Sequence, residues 1–206
     1  TGASGRVGLG VVQELCKRCL PVRALIRNRG NAELFTDRVH VRVVDLFDIE
    51  SLAEAFEGCD TVFLITPENM HSPDVIGEAE RLIENYREAV KKTGVRRIVG
   101  LSSMGAQLDG NTGNLMISRM LEQAFRHLPV GTTFIRPAYY FSNWLPYTQL
   151  VKEYGILPTF LDPERKIAMV SPSDVAQFAA IVLSSEALSA NLYELSGPVS
   201  YSPVEV

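Results

Sequence analysis

The 206-residue sequence predicts an α/β fold: a doubly wound parallel β-sheet with helices on both faces and a small C-terminal lobe. Strand-like apolar runs alternate with amphipathic helical patterns along most of the chain, and short connections join them. A glycine-rich turn at the start of the sequence leads directly into the first helical pattern. The hydrophobic content of 46% is enough for one sizeable core. These observations favour a single main domain.

Charge and hydropathy patterns argue against two classes of partner. The formal net charge is −4, and the lysines and arginines are scattered along the sequence. A nucleic-acid-binding surface needs clustered basic residues, so we expect no nucleic-acid partner. No apolar run approaches the roughly 20 residues of a membrane span, and no signal-peptide pattern is present. We therefore expect a cytoplasmic protein, a monomer or homodimer, that has no membrane partner and acts on a small molecule.

The glycine-rich turn is the motif that points most directly to a ligand. Three glycines recur at every third residue, and the apolar residues that follow have helical spacing. Backbone N–H groups at a helix start attract phosphate, and glycines let the phosphate come close. The pattern predicts a dinucleotide pyrophosphate site, with a ligand-free helix cap as the alternative. The candidate cofactor-binding residues of the turn are Gly2, Ser4, Gly5, Arg6, Val7 and Gly8.

The cysteines suggest packing rather than metal or redox chemistry. The sequence has three of them, an odd number that does not make a disulfide framework. Cys16 and Cys19 have the spacing of a redox or zinc pair, but no second pair or nearby histidine accompanies them. We expect both on the buried side of the first helix, where free cysteines usually pack. No metal site is predicted.

The first predicted strand, residues 21–26, ends at a residue that bears on cofactor choice. In a dinucleotide fold, the residue about 20 positions after the glycine turn meets the adenosine ribose, and an acidic residue there favours NAD. Arg27 holds this position. A guanidinium can bond a 2′-phosphate, so NADP (NADPH) is predicted and NAD is disfavoured. The alternative is a solvated loop arginine.

The second strand, residues 39–44, ends at Asp45 and Leu46 and precedes a helix over 49–56. Ligands of doubly wound sheets lie at the carboxyl ends of the strands, so both residues are candidate cofactor contacts. Asp45 could accept a hydrogen bond from the adenine amino group. A turn or helix-cap role for Asp45 stays open as the alternative.

The third strand, residues 61–65, is a continuous apolar run of the buried parallel type. Thr66 and Pro67 follow it and are candidate cofactor contacts. His71 lies in the next loop, where it either faces the nicotinamide or substrate or is solvated. A long helix is predicted to begin after a cap at Ser72.

The fourth strand, residues 95–101, leads into three further candidates. Ser102 is a candidate for binding the cofactor, Ser103 for catalysis and Met104 for contact with the substrate. A helix over 114–127 follows.

The rest of the chain is predicted as shorter elements: a strand over 130–135, an aromatic-rich helix over 143–154, a strand over 167–170, a helix capped by Ser173 or Asp174, a strand over 192–195 and a helix start at 202–206. Residues 1–138 are predicted to form the dinucleotide-binding domain, and 139–206 a substrate or lid region packed on it. A strand is expected before Thr1, and further chain is expected after Val206.

Seven motifs, taken together, resemble the atypical short-chain dehydrogenase/reductase superfamily and, within it, the NmrA-like NAD(P)-binding proteins, which have a Rossmann fold. They are T-G-A-S-G-x-x-G at 1–8, A-L-I-R-N at 24–28, V-D-L at 44–46, V-F-L-I-T-P at 62–67, R-I-V-G-L-S-S-M-G-A at 97–106, F-I-R-P-A-Y-Y-F at 134–141 and S-P-S-D-V-A at 171–176. The resemblance implies an NADPH-dependent quinone reductase, a reductase or isomerase of a specialised metabolite, or a redox-sensing regulator that binds the cofactor without turning it over.

The superfamily's usual catalytic pair is missing. Many members use Tyr-x-x-x-Lys on the helix after the fourth strand of this sequence, and alignment through Glu122 puts Leu115 and Arg119 there. The superfamily's serine aligns with Ser103 or with Met104. Without the pair, hydride transfer is expected only to acceptors that need no protein acid, such as quinones.

An aromatic cluster follows the fifth predicted strand, residues 130–135. Tyr139 is a candidate for catalysis and substrate contact, and Tyr140 and Phe141 for substrate contact. With Trp144 and Tyr147 they could form a flat apolar slot for an acceptor ring. A lid that only packs on the core is the alternative.

Overall fold

The computed structural model describes residues 1–185 and 190–206. Its strands are β1 (Val22–Ile26), β2 (Val39–Val43), β3 (Thr61–Leu64), β4 (Arg97–Leu101), β5 (Gly131–Pro137), β6 (Tyr139–Tyr140), β7 (Ile167–Val170), β8 (Leu192–Leu195) and β9 (Ser200–Tyr201). Its α-helices are α1 (Arg6–Lys17), α2 (Ile49–Phe56), α3 (Val75–Lys92), α4 (Leu115–Phe125), α5 (Thr148–Tyr154) and α6 (Pro172–Ser184). Short 3₁₀ helices span Arg29–Leu34, Phe141–Tyr147 and Pro203–Glu205.

The main sheet is parallel, as the alternation of strands and helices predicts. β1 pairs with β2, and β3, β4, β5 and β8 pair in that order, all in parallel. Residues 1–3 lie between the two groups of strands. The Ala3 N–H donates to the Leu25 carbonyl at 3.3 Å, and the Thr1 nitrogen donates to the Phe63 carbonyl at 2.6 Å. The glycine-rich turn therefore starts in the middle of the sheet.

Helices cover both faces of the sheet, which confirms the doubly wound architecture. Neighbouring residues of β4 point to opposite sides: Ile98 lies in a core with α2, α3 and α4, and Val99 in a core with α1 and α6. α1 and α6 approach closely at Gly10, where an added Cβ would lie 2.7 Å from the Ala176 Cβ. These two layers fix the start of α1 against the carboxyl ends of the strands.

A small lobe stands beside these layers. β6 runs parallel to β7, and β7 is antiparallel to β9. The 3₁₀ helix Phe141–Tyr147 and α5 continue directly from β6. The region predicted as 139–206 is divided by the structure, because α6 packs on α1 and β8 extends the main sheet. β6 and β9 are too short for a sequence pattern to predict.

Several boundaries differ from the prediction for local reasons. Cys19 is exposed in the turn after α1, with φ of 56°, so only Cys16 of that pair is partly buried. α3 is capped by Asp74, whose carboxylate accepts from the Gly77 N–H, and not by Ser72. α6 is capped by Ser171, because Pro172 takes the first helical position. In the described ranges, no helix is long and apolar enough to cross a membrane.

Candidate functional site

The glycine-rich turn has a shape that requires its glycines. Gly2 has φ of +63°, in the left-handed region that glycine adopts without strain. The Gly5 N–H donates to the Gly2 carbonyl at 3.0 Å and closes the turn. A Cβ on Gly8 would lie 2.1 Å from that same carbonyl oxygen, so no other residue fits there. The turn and the first turn of α1 are thus held in van der Waals contact.

The start of α1 presents free donors. Gly5 caps the helix without a side-chain bond, and the first turn carries no acidic residue. The N–H groups of Arg6, Val7 and Gly8 have no acceptor within the described part of the chain. Unpaired N–H groups and the helix dipole both favour an anion at this position.

A cavity of about 1330 Å³ opens in front of this helix start. It runs from the glycine-rich turn, past the ends of β1, β3 and β4, to the lobe. Eleven residues predicted as cofactor or substrate contacts line it: Gly2, Ser4, Gly5, Arg6, Val7, Gly8, Arg27, Leu46, Pro67, Tyr139 and Tyr140. The fold therefore brings most of the predicted site into one space.

The charged residues that line this cavity are both arginines, Arg6 and Arg27, and none is acidic. Arg27 is exposed at the end of β1, and neither arginine has a carboxylate partner in residues 1–185 or 190–206. Nη1 of Arg6 donates to the Ser142 carbonyl at 3.4 Å. The electrostatic field of the cavity thus suits an anionic ligand.

Of the cofactor contacts predicted at the ends of β2 and β3, only some line the cavity. Leu46 is buried and lines the cavity, but Asp45 is exposed and outside the lining. Oδ1 of Asp45 accepts from the Phe47 N–H at 2.9 Å, which is the turn role that the sequence left open. Thr66 is outside the lining too, and its hydroxyl is buried without a hydrogen-bond partner among the described residues.

The structure does not support the prediction that Ser102 binds the cofactor. Its hydroxyl donates to Oε1 of Glu122 at 2.5 Å and does not line the cavity. The same carboxylate accepts two bonds from Arg136, at 2.8 and 2.7 Å, with both side chains largely buried. Nη1 of Arg136 also lies 3.6 Å from Glu194. These bonds raise the pKa of the Arg136 guanidinium, and the carboxylate is satisfied by several donors.

Four further candidates lie away from the cavity. The Ser103 hydroxyl donates to the Met104 carbonyl at 3.1 Å, and Met104 packs against the core of α1 and α6. Phe141 faces Tyr201, with ring centroids 5.6 Å apart. His71 is exposed in its loop, while its neighbour Met70 lines the cavity. The predicted contacts of these four residues with substrate have no support in this geometry.

Aromatic side chains form the lobe wall of the cavity. The rings of Tyr139 and Trp144 lie 5.5 Å apart and tilted by 50°. The Tyr140 hydroxyl is buried and has no hydrogen-bond partner in the described chain, and burial raises the pKa of this phenol. Tyr140 therefore stays protonated, with a donor that no described residue accepts.

Comparison with known proteins gives the family. The model of a family described as NAD(P)H-binding matches residues 2–186. The chain belongs to this NAD(P)H-binding family. It is 30% identical over 211 residues to an NAD(P)H azoreductase of Xenophilus azovorans, covering 100% of this chain and 69% of that protein. It is 26% identical over 208 residues to quinone oxidoreductase 2 of Escherichia coli, covering 98% and 69%.

Two solved structures with 25% identity have the same fold. A triphenylmethane reductase of Citrobacter sp. superimposes with a TM-score of 0.83, over 99% of this chain and 70% of that one. An NADPH-dependent quinone oxidoreductase of Escherichia coli, complexed with NADPH, superimposes with a TM-score of 0.79, over 98% and 69%. The family resemblance read from the sequence motifs is confirmed, and the chain is placed among the NAD(P)H-dependent oxidoreductases.

The residues of this member of the NAD(P)H-binding family fit the cofactor. Gly8 lets the turn pack directly on the start of α1, three N–H groups there are free, and Arg6 and Arg27 have no carboxylate partner within the described ranges. These groups would hold the pyrophosphate and the adenosine end. The individual contacts remain predictions.

The sequence analysis did not identify some residues that line the cavity. Ser142, Asn143 and Phe160 line the cavity, and Phe160 is fully exposed beside it. Asn143 follows Tyr140 by three residues and lies in the predicted helix over 143–154, where no motif marks it as a ligand contact. Proximity in sequence to Tyr139 and Tyr140 was the available clue.

Proposed function

We propose that the protein is an NADPH-dependent reductase that transfers hydride to a planar, easily reduced small molecule such as a quinone. One observation carries the proposal: a single cavity connects the phosphate-binding turn to the aromatic wall of the lobe. A cofactor that spans this distance would bring its reactive end to the wall. When bound, NADPH supplies the hydride.

The role of the protein is to bind and orient. The start of α1 and Arg6 would hold the pyrophosphate, and Arg27 would bond the 2′-phosphate that distinguishes NADPH from NADH. The rings of Tyr139 and Trp144 would stack on the acceptor and exclude water from it.

The proposed acceptor class follows from proton balance. Hydride transfer to a quinone gives a resonance-stabilised phenolate, and water then supplies the proton that completes the hydroquinone. An ordinary ketone gives an alkoxide that needs a protein acid. No tyrosine of this sequence is followed four residues later by a lysine. The absence of that pair therefore favours acceptors with stabilised products.

The azoreductase, quinone oxidoreductase and triphenylmethane reductase relatives suggest which acceptors to test, because their names point to azo compounds, quinones and triphenylmethane dyes, which are easily reduced aromatic or conjugated molecules. We propose the same chemical class for this chain. The proposal includes a cytoplasmic location, a monomeric or homodimeric state and no nucleic-acid partner.

Steady-state turnover tests the proposal. Purified protein is mixed with NADPH and, in turn, a benzoquinone, a naphthoquinone and an azo dye, while absorbance at the reduced-nicotinamide band is followed. We expect turnover with at least one acceptor. Tight NADPH binding without turnover across the panel would favour the redox-sensing role instead.

A further inference from the structure

Arg6 connects two parts of the site that are far apart in sequence. It is the first residue of α1, beside the free N–H groups that face the cavity. Its Nη1 donates to the Ser142 carbonyl, 136 residues away, at 3.4 Å. This bond uses one of the five guanidinium donors, so the others are available to a ligand in the cavity.

Ser142 belongs to the 3₁₀ helix that builds the acceptor wall. This helix, Phe141–Tyr147, also contributes Asn143, Trp144, Pro146 and Tyr147 to the cavity lining. Four of its seven residues are exposed, and Trp144 is its one buried member. Few core contacts therefore hold this segment, and its position depends on contacts such as the one from Arg6.

We propose that Arg6 is a positioning residue through which the bound cofactor sets the acceptor wall. The inference rests on the proposed function, because it assumes that a pyrophosphate binds at the start of α1. An anion there would fix the guanidinium plane, since Arg6 has no carboxylate partner among residues 1–185 and 190–206. The fixed guanidinium then holds the Ser142 carbonyl, and with it the Trp144 ring.

The coupling has a functional consequence. The acceptor slot is complete only after the cofactor has bound, so cofactor binding precedes productive acceptor binding. A ligand with the pyrophosphate and 2′-phosphate but no nicotinamide is sufficient to order the wall, because the link runs through Arg6 and not through the reactive ring.

The sole tryptophan of the sequence makes this measurable, because it is Trp144. The probe is 2′-phospho-ADP-ribose, which lacks the nicotinamide that would quench tryptophan directly. Its binding is measured by calorimetry, and acrylamide quenching of Trp144 is measured with and without saturating probe. The variant is Arg6→Met. The matched control is Arg18→Met, an exposed arginine just past the other end of α1.

In the unmodified protein and in Arg18→Met, we expect the probe to lower the quenching constant of Trp144 by about twofold. In Arg6→Met, we expect probe binding weakened by about tenfold and, at saturation, an unchanged quenching constant. A normal decrease in Arg6→Met, or no decrease in the unmodified protein that binds the probe, would overturn the coupling. No heat of binding in the unmodified protein would contradict the proposed function and the coupling together.

Discussion

We expect one residue at the adenosine end of the cavity, Arg27, to decide which nicotinamide cofactor the protein prefers. Arg27 is exposed at the end of β1, lines the cavity and has no carboxylate partner in the described part of the chain. A cation in this position has an unused charge that a 2′-phosphate neutralises and a free ribose hydroxyl does not.

Replacing Arg27 by Asp tests this assignment. We expect KM for NADPH to rise by about 100-fold and KM for NADH to change by less than about threefold, because only NADPH carries the phosphate. Steady-state kinetics with both cofactors measure the two effects, and Arg18→Asp is the control. Equal weakening of both cofactors would remove Arg27 from this role.

The buried Tyr140 hydroxyl is expected to cost stability. Its hydroxyl is buried without a partner among the described residues, whereas the buried Tyr86 hydroxyl donates to the Ile65 carbonyl at 2.8 Å. We expect Tyr140→Phe to raise the free energy of unfolding by about 1 kcal/mol and Tyr86→Phe to lower it by a similar amount. Chemical denaturation of the cofactor-free proteins measures both changes.

A Tyr140→Phe variant that is less stable than the unmodified protein would show that the hydroxyl bonds within the protein.

Sequence predicts residues well where the reason is local. The glycines of the turn and Arg27 follow from spacing along the chain, and the structure brings them to one cavity. Ser102 could not be assigned in this way, because its hydroxyl is taken by Glu122 from α4, twenty residues later. Periodicity does not reveal which distant side chain competes for a polar group.

At the scale of elements, the turn and α1 act as one unit. Gly8→Ala would put a Cβ 2.1 Å from the Gly2 carbonyl oxygen, and the turn must move to accept it. We expect a loss of about 1–3 kcal/mol in the free energy of unfolding. We also expect NADP⁺ affinity to fall by more than about tenfold, because the free N–H groups are displaced.

Calorimetry and denaturation of Gly8→Ala measure these two losses. Gly94→Ala is the control, because a Cβ on Gly94 meets no atom within 4 Å. Unchanged NADP⁺ affinity in folded Gly8→Ala would show that the turn does not hold the phosphates.

A largely buried ion pair of Glu122 and Arg136 links α4 to β5. Removing one partner leaves the other charge buried, so we expect Arg136→Met to cost about 3–5 kcal/mol in the free energy of unfolding. The exposed pair of Arg96 and Asp60, at 2.7 Å, is the control. Arg96→Met is expected to cost less than about 1 kcal/mol in the same denaturation assay.

A small effect of Arg136→Met would mean that water or protonation of Glu122 relieves the buried charge that the lost guanidinium leaves. The double variant Glu122→Leu/Arg136→Met separates the pair's coupling from the cost of the unpaired charge.

Helices and strands could be predicted where their apolar residues recur at a regular spacing. α2, β7 and β8 begin and end where the sequence pattern predicts them. The two-residue strands β6 and β9 have no period, and their pairing with β7 depends on contacts between distant segments. The lobe was therefore expected as a region, but its architecture was not.

At the scale of the whole molecule, the cavity lies between two units of different construction. The layered sheet fixes the phosphate-binding turn through buried cores on both faces, while the lobe contributes an aromatic wall with several exposed members. Alternation of strands and helices predicted the first unit. The extent of the lobe could be seen only in the structure, where α6 packs on α1 and β8 pairs with β5 in the main sheet.

A single-turnover experiment shows whether this site transfers hydride from NADPH to a planar acceptor. Protein in excess over NADPH is mixed anaerobically with a naphthoquinone in a stopped-flow instrument, and absorbance at the reduced-nicotinamide band is followed. We expect bound NADPH to be oxidised in one exponential phase, at least about 100-fold faster than free NADPH under the same conditions. Oxidation of bound NADPH at the rate of free NADPH, or slower, would contradict it.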